Sequence, residues 1–353
     1  MSVPRDLPNY ETLTGLVAHY SPTGEEAAAV DWLVARMRQL GFAQAQVDGA
    51  GNAVGVMGSG PRQGMLLGHI DTVPGEIPLR LEGEVLFGRG AVDAKGPLAA
   101  FVDAVAEVGP GDGWQWIVVG VVDEEGDSRG ARYLLDRYRP AFVIVGEPSR
   151  WDRVTIGYKG SAWSKATIRR AMAHSASPEA SACEQAVAYW LAVQAWAAEF
   201  NRDRPRAFDQ VTPSLRNWSS GDDGFQSWAT LHLGARLPLG LAPEDWQAHL
   251  RALDPGVQLE AGGFATPAYR GEKNSPLTRA FLGAIRQAGG DPSFLLKTGT
   301  ADLNLVAPAW SCPAVAYGPG DSSLDHTPHE HILLPEYARA CQVLAGVLRK
   351  MAV

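Results

Sequence analysis

Three apolar runs of strand length each end in groups that buried strands rarely carry. Met65-Leu-Leu-Gly leads into His69-Ile-Asp71, Ile117-Val-Val-Gly-Val-Val into Asp123-Glu124-Glu125, and Phe142-Val-Ile-Val into Gly146-Glu147. Helix-like stretches over residues 25–40 and 97–108 alternate with these runs. The alternation predicts an α/β fold: a doubly wound, mainly parallel sheet. In such a sheet, ligands bind beyond the carboxyl ends of the strands. The three runs would therefore deliver one imidazole and several carboxylates to a single crevice. Clustered carboxylates repel and raise one another's pKa unless cations share the site.

The pattern changes after Trp151. Residues 154–169 alternate like one long strand, 178–200 read as a helix, 228–237 as a strand, 243–253 as a helix and 257–264 as a strand. This predicts a small α+β domain with one solvated sheet face. From about Asn274 the α/β pattern resumes, with a helix over 276–288, a strand over 314–317 and a closing helix over 335–350. The expected partition is a catalytic domain formed by residues 1–155 and 271–353, interrupted by a lid or dimerisation domain over 156–270.

Composition removes several classes. Thirty-nine acids against 31 bases give a net charge of −8, the wrong sign for a general nucleic-acid binder. Cys183, Cys312 and Cys341 form no CxxC pair, which argues against a disulfide framework or a thiolate metal site. The start, MSVPRDLPNYETL, lacks the basic and apolar regions of a secretory signal, and no apolar run approaches the ~20 residues of a membrane span. A cytoplasmic protein, with neither nucleic acid nor membrane as partner, is the expectation.

Histidine and carboxylate ligands without thiolates suit zinc and, more loosely, cobalt or manganese. A pair of metals needs a bridging carboxylate and about two further ligands each. Asp71 shares His69's face of the strand and is placed to hold the ring's second N–H. Asp93 opens the turn before the 97–108 helix, near a positive helix end that favours an anion. Glu124 and Glu125 are neighbours that point apart in an extended chain, so one can bind metal while the other acts as general base.

Gly68-His69-Ile70-Asp71-Thr72-Val73-Pro74, Gly88-Arg-Gly-Ala-Val-Asp93-Ala94-Lys95-Gly96, Asp123-Glu124-Glu125-Gly126 and Gly146-Glu147-Pro148-Ser149 resemble, in order and spacing, the motifs of the aminoacylase/carboxypeptidase family of co-catalytic zinc hydrolases. The resemblance implies two Zn2+ per chain, replaceable by Co2+ and bridged by Asp93. His69 and Glu147 would hold one ion, Glu125 and a late histidine the other. Asp71 would be the orienting acid and Glu124 the general base, with a cis peptide after Asp93. A histidine four residues before a glutamate is the family pattern, which selects His326 with Glu330 over His329 and His331. The resemblance also gives His174 a part in polarising the scissile carbonyl, often in a neighbouring subunit's site, and Arg236 the reception of a substrate carboxylate. A homodimer through the lid is its further implication.

Lys297-Thr298-Gly299-Thr300-Ala301-Asp302-Leu303-Asn304, together with Gly157-Tyr158-Lys159-Gly160, resembles one branch of the family, the amino-group-carrier-protein lysine/ornithine hydrolases. Lys297, Gly299 and Thr300 thereby join Arg236 as substrate-binding candidates. The implied reaction frees lysine or ornithine from the terminal glutamate of a small acidic carrier protein. Within the same chemistry, the alternatives are deacetylation of acetyl-lysine or acetyl-ornithine, and dipeptide or carboxypeptide hydrolysis. Outside it, the alternative is a non-catalytic metal-binding interaction protein, which the intact Asp71, Glu124 and ligand set argue against.

Overall fold

The computed structural model describes residues 10–174 and 176–353; the first nine residues, read above for a targeting signal, and Ser175 lie outside them. The chain divides into two compact units. One runs to Gly157 and resumes over Gly271–Leu296 and Ala301–Val353; the other comprises Tyr158–Arg270 and Lys297–Thr300. The short segment Lys297–Thr300, which the sequence pattern leaves with the returning catalytic part, thus belongs with the inserted unit. In the first unit, the Gly271 N–H donates to the Ile156 carbonyl at 2.7 Å, so the chain returns where it left.

The first unit is built on a large sheet with strands in the order Gln44–Val47, Ala53–Met57, Trp114–Val121, Arg62–His69, Phe142–Gly146, Ala314–Ala316 and Arg153–Tyr158. Its centre is parallel, and its flanking pairs are antiparallel. The central strands are continuous Val/Ile/Leu runs because neither face meets water. Helices Ala27–Gln39, Lys95–Val108, Pro276–Gln287 and Leu334–Met351 bury Leu33, Leu98, Phe101, Phe281 and Leu344 in the same core. Two glycines let a helix approach the sheet closely. A Cβ on Gly146 would lie 3.0 Å from both Gly68 Cα and the Phe101 ring, and one on Gly68 would lie 3.1 Å from Leu98 Cβ.

A small second sheet, His331–Leu333, Val85–Phe87 and Arg80–Glu82, pairs His331 with Phe87 antiparallel. That pairing matters for function. It draws the loop before His331 alongside the turn after Phe87.

In the inserted unit, four antiparallel strands run in the order Thr212–Asp222, Gln226–Leu237, Gly160–Ala171 and Gln258–Thr266. Helices Ala182–Asn201 and Pro243–Leu253 supply Tyr189, Val193, Trp246 and Leu250 to its core. Three details differ from the sequence pattern. The expected strand over 154–169 is two strands separated at Lys159. The first helix starts four residues later than expected, because Ser181 and Glu184 form a reciprocal capping box there. Thr212–Asp222 is a strand that the pattern did not reveal. Among the described residues, no helix is long and apolar enough to cross a membrane.

Candidate metal centre

Register explains why distant residues meet. His69 lies opposite Val121, and Gly68 opposite Gly146. The ends of three adjacent parallel strands are therefore level, so the Asp123–Glu125 turn and Glu147 open beside His69. Asp93 arrives from the turn leading into Lys95–Val108, where the Asp93–Ala94 peptide is cis. His326 arrives from the loop before His331. Two of the flanking residues, Asp123 (φ 65°) and His326 (φ 60°), occupy the left-handed region, where a non-glycine residue typically persists only when its surroundings hold it.

Ligand atoms of His69, Asp93 and Glu125 all lie within 4.8 Å of one another. His69 Nε2 is 3.2 Å from Asp93 Oδ1, and His326 Nε2 is 3.0 Å from Asp93 Oδ2 and 2.9 Å from Glu125 Oε1. Asp93 thus offers one oxygen to each histidine. Glu147 is buried at its strand end, near enough for its charge to act on Glu124. His329 is exposed; the His331 ring lies 5.1 Å from that of Phe87, and its Nδ1 bonds to the His329 carbonyl. The structure therefore gathers His326 and leaves its two neighbours outside.

Asp71 differs in detail from expectation. The His69 Nδ1 partner at 2.9 Å is the Asp71 main-chain carbonyl, while the carboxylate stands 3.5 Å away. The carboxylate is engaged elsewhere: it accepts the N–H groups of Glu124 and Glu125, each at 3.1 Å, and the Thr23 hydroxyl at 2.9 Å. Sequence spacing found the residue but not these contacts, since Thr23 carries no motif.

Electrostatically the pocket demands positive charge. Burial opposes ionisation of Asp93, yet hydrogen bonds from His326 and His69 hold its carboxyl well below the usual range. Burial likewise works against a charged His69, but Asp71, Asp93 and Glu124 lift its pKa well above the ordinary value. Hydrogen bonds to Asp93 and Glu125 raise His326 to about 10. Burial pushes Glu124 well up; His69 partly offsets this, and the charges of Asp302, Glu147 and Glu125 add to it. The donor set of imidazole and carboxylate, converging with no thiolate, fits a divalent cation.

Two further groups lie within the quoted motifs, where sequence reasoning assigned neither a defined role. Asp302 is buried, and neither of its oxygens accepts a hydrogen bond of ordinary geometry. Burial raises its pKa to about 6; the Ser128 side chain and His69 offset this only in part. Lys95 is fully buried with Nζ on the His19 carbonyl at 2.6 Å, and burial lowers its pKa to about 7 despite the charges of Glu330 and Asp71.

Within the inserted unit, Arg236 Nη1 donates to Thr300 Oγ1 at 2.6 Å, and that hydroxyl donates to the Lys159 carbonyl at 2.9 Å. The Lys159 N–H bonds to the Lys297 carbonyl, and Lys297 Nζ lies 5.8 Å from the Tyr158 ring centroid. Arg236 is thus the cation whose charged group meets Thr300, whereas Lys159 Nζ bonds to the Ala207 carbonyl and Thr212 Oγ1; Gly299, beside Thr300, has open space where a side chain would stand. His174 occupies the exposed loop before Ala182–Asn201, its Nδ1 accepting the Ala176 N–H at 3.1 Å.

Comparison with known proteins agrees with this architecture. Residues 65–350 match the model of peptidase family M20/M25/M40. The chain is 43% identical over 352 residues to the LysW-lysine hydrolase of Deinococcus radiodurans, covering 97% of this chain and 96% of that protein. In fold it is similar to an M20 family metallo-carboxypeptidase from Sulfolobus solfataricus, with a TM-score of 0.79, 16% identity and coverage of 99% and 100%. It is also similar in fold to the YXEP protein of Bacillus subtilis, described as a dinuclear metal-binding peptidase of this family, with a TM-score of 0.69, 12% identity and coverage of 97% and 98%.

Proposed function

The chain belongs to peptidase family M20/M25/M40, and from that premise we propose that it is a di-zinc amidohydrolase that frees lysine or ornithine from the terminal glutamate of a small acidic amino-group carrier protein. The observation that carries the chemistry is Asp93, one oxygen toward His69 and the other toward His326, with Glu125 in the same cluster. His69 and Glu147 would hold one ion, and Glu125 and His326 the other, with Asp93 between them. When bound, zinc supplies Lewis acidity and a nucleophile at neutral pH. Glu124 accepts the nucleophile's proton on its carboxylate and returns it to the leaving amine. Asp71 holds Glu124 and Glu125 in place through their amides, and the family resemblance gives His174 a part in polarising the scissile carbonyl, often in a neighbouring subunit's site.

The substrate assignment draws on the name of the Deinococcus relative and on the contact of Arg236 with Thr300. Arg236 suits a carboxylate through its planar fork, and Lys297, Gly299 and Thr300 would line the same subsite. The deciding experiment compares kcat/KM for release of lysine and ornithine from carrier conjugates with that for deacetylation of the acetylated amino acids. A higher value for the acetylated compounds would transfer the assignment to a deacetylase.

The exposed side of helix Ala182–Asn201 carries Val187 and Leu191, one turn apart and 48% and 57% exposed. That apolar stripe supports a homodimer through the inserted unit. A Leu191→Lys variant should sediment as a monomer.

A further inference from the structure

Two buried carboxylates, neither of them a candidate ligand, hold the turns from which ligands project. Asp71 grips the amides of Glu124 and Glu125, as described above. Glu330 does the same on the opposite side. Its Oε1 accepts the N–H of Val92 at 2.9 Å and of Asp93 at 3.0 Å, while its other oxygen pairs with Arg89 Nη1 at 2.9 Å. Arg89 reaches further, donating to the Gly75 carbonyl at 2.8 Å and the Thr327 carbonyl at 3.2 Å. Glu330 is fully buried and Arg89 nearly so.

Glu330 follows His326 by four residues, and Arg89 precedes Asp93 by four. One short loop therefore brings His326 onto the Asp93 carboxylate and, through Glu330, takes hold of the Asp93 amide. The antiparallel pairing of Val85–Phe87 with His331–Leu333 sets these two segments side by side. Asp93 is fixed at both ends.

We propose that Glu330, backed by Arg89, is a positioning residue of the metal centre: it locks the turn carrying Asp93 to the loop carrying His326 and so sets how tightly the site holds its divalent ions. This rests on the metal-centre reading given above. An ionised acceptor bonds amides about twice as strongly as a neutral one, and Arg89 compensates the charge that such an acceptor must bury. A glutamine in its place keeps one carbonyl oxygen for the two amides, but the partner of Arg89 is then either neutral or a donor facing a donor. Groups that orient metal ligands typically contribute about 10–100-fold in metal affinity.

The test measures zinc binding to metal-free protein by competition with a chromophoric chelator, below the melting point of every variant. Glu330→Gln is compared with wild type. So is the double variant Arg89→Met/Glu330→Gln, which leaves no lone buried charge and so guards against a single variant that does not fold. The expected result is an affinity about 10–100-fold weaker in both variants. Folded variants that bind zinc within twofold of wild type would reduce Glu330 to a purely structural role and overturn the proposal. Wild-type protein that takes up no zinc would instead overturn the metal-centre reading, and the proposal with it; the two failures are distinct measurements.

Discussion

Glu124 gains a proton more readily than an ordinary glutamate because burial and three neighbouring carboxylates oppose its charge. A carboxyl tuned upward in this way is suited to hold a proton and then surrender it. Glu124→Gln should retain the wild-type metal content by elemental analysis while kcat falls by about 10²–10⁴-fold; turnover near wild type would remove Glu124 from the mechanism. Asp302 offers a second test at this scale. Its folded pKa of about 6 lies above the unfolded value, so the folded state keeps a proton that the unfolded chain has already lost. Stability should therefore decline as pH rises through the carboxylate range toward 6 and stay low above it, by up to about 2–3 kcal/mol. In chelator-treated protein, Asp302→Asn should raise the melting temperature at pH 7.5 and have little effect at pH 4. The motif around Asp302 was visible in the sequence, but its burial was not, because an isolated aspartate at a helix start ordinarily reads as a solvated cap.

At the scale of elements, the sequence was most readable where a strand is buried on both faces. Continuous Val, Ile and Leu runs allowed only central strands, and the polar residues after them marked the crevice. Thr212–Asp222 escaped because Pro213, three serines, Asn217 and Gly221 give neither apolar alternation nor β propensity; as an edge strand it is held by pairing with Gln226–Leu237. The interruption at Lys159 escaped because the apolar alternation continues across it. Close helix-to-strand contact at Gly68 and Gly146 leads to an expectation of its own. Gly146→Ala would set a methyl against Gly68 Cα and Phe101, costing about 1–3 kcal/mol by overpacking. Thermal melting of that variant checks the figure, and an unchanged melting temperature would mean that helix Lys95–Val108 shifts without resistance.

For the molecule as a whole, charge is unevenly shared. Residues 158–270 hold eleven acids and eleven bases, so the net −8 belongs entirely to the rest of the chain, where the candidate ligands lie. The arginines at the end of helix Ala182–Asn201 are occupied locally: Arg202 pairs with Glu199, Arg206 with Asp209, and Arg204 lies over Phe200. Metal should therefore act as a fold-wide stabiliser. At a hundredfold excess over Kd, each ion adds about 2.7 kcal/mol, so chelation should lower the melting temperature and added zinc restore it, as differential scanning calorimetry would record. The lock between Glu330 and the amides of Val92 and Asp93 spans 238 and 237 residues of chain. A ribosome makes Asp93, Glu125 and Glu147 long before His326 and Glu330, and the whole inserted unit is synthesised in between. The growing polypeptide therefore carries an incomplete, anionic half-site throughout synthesis of the inserted unit, and the metal centre can close only after residue 330 has left the exit tunnel.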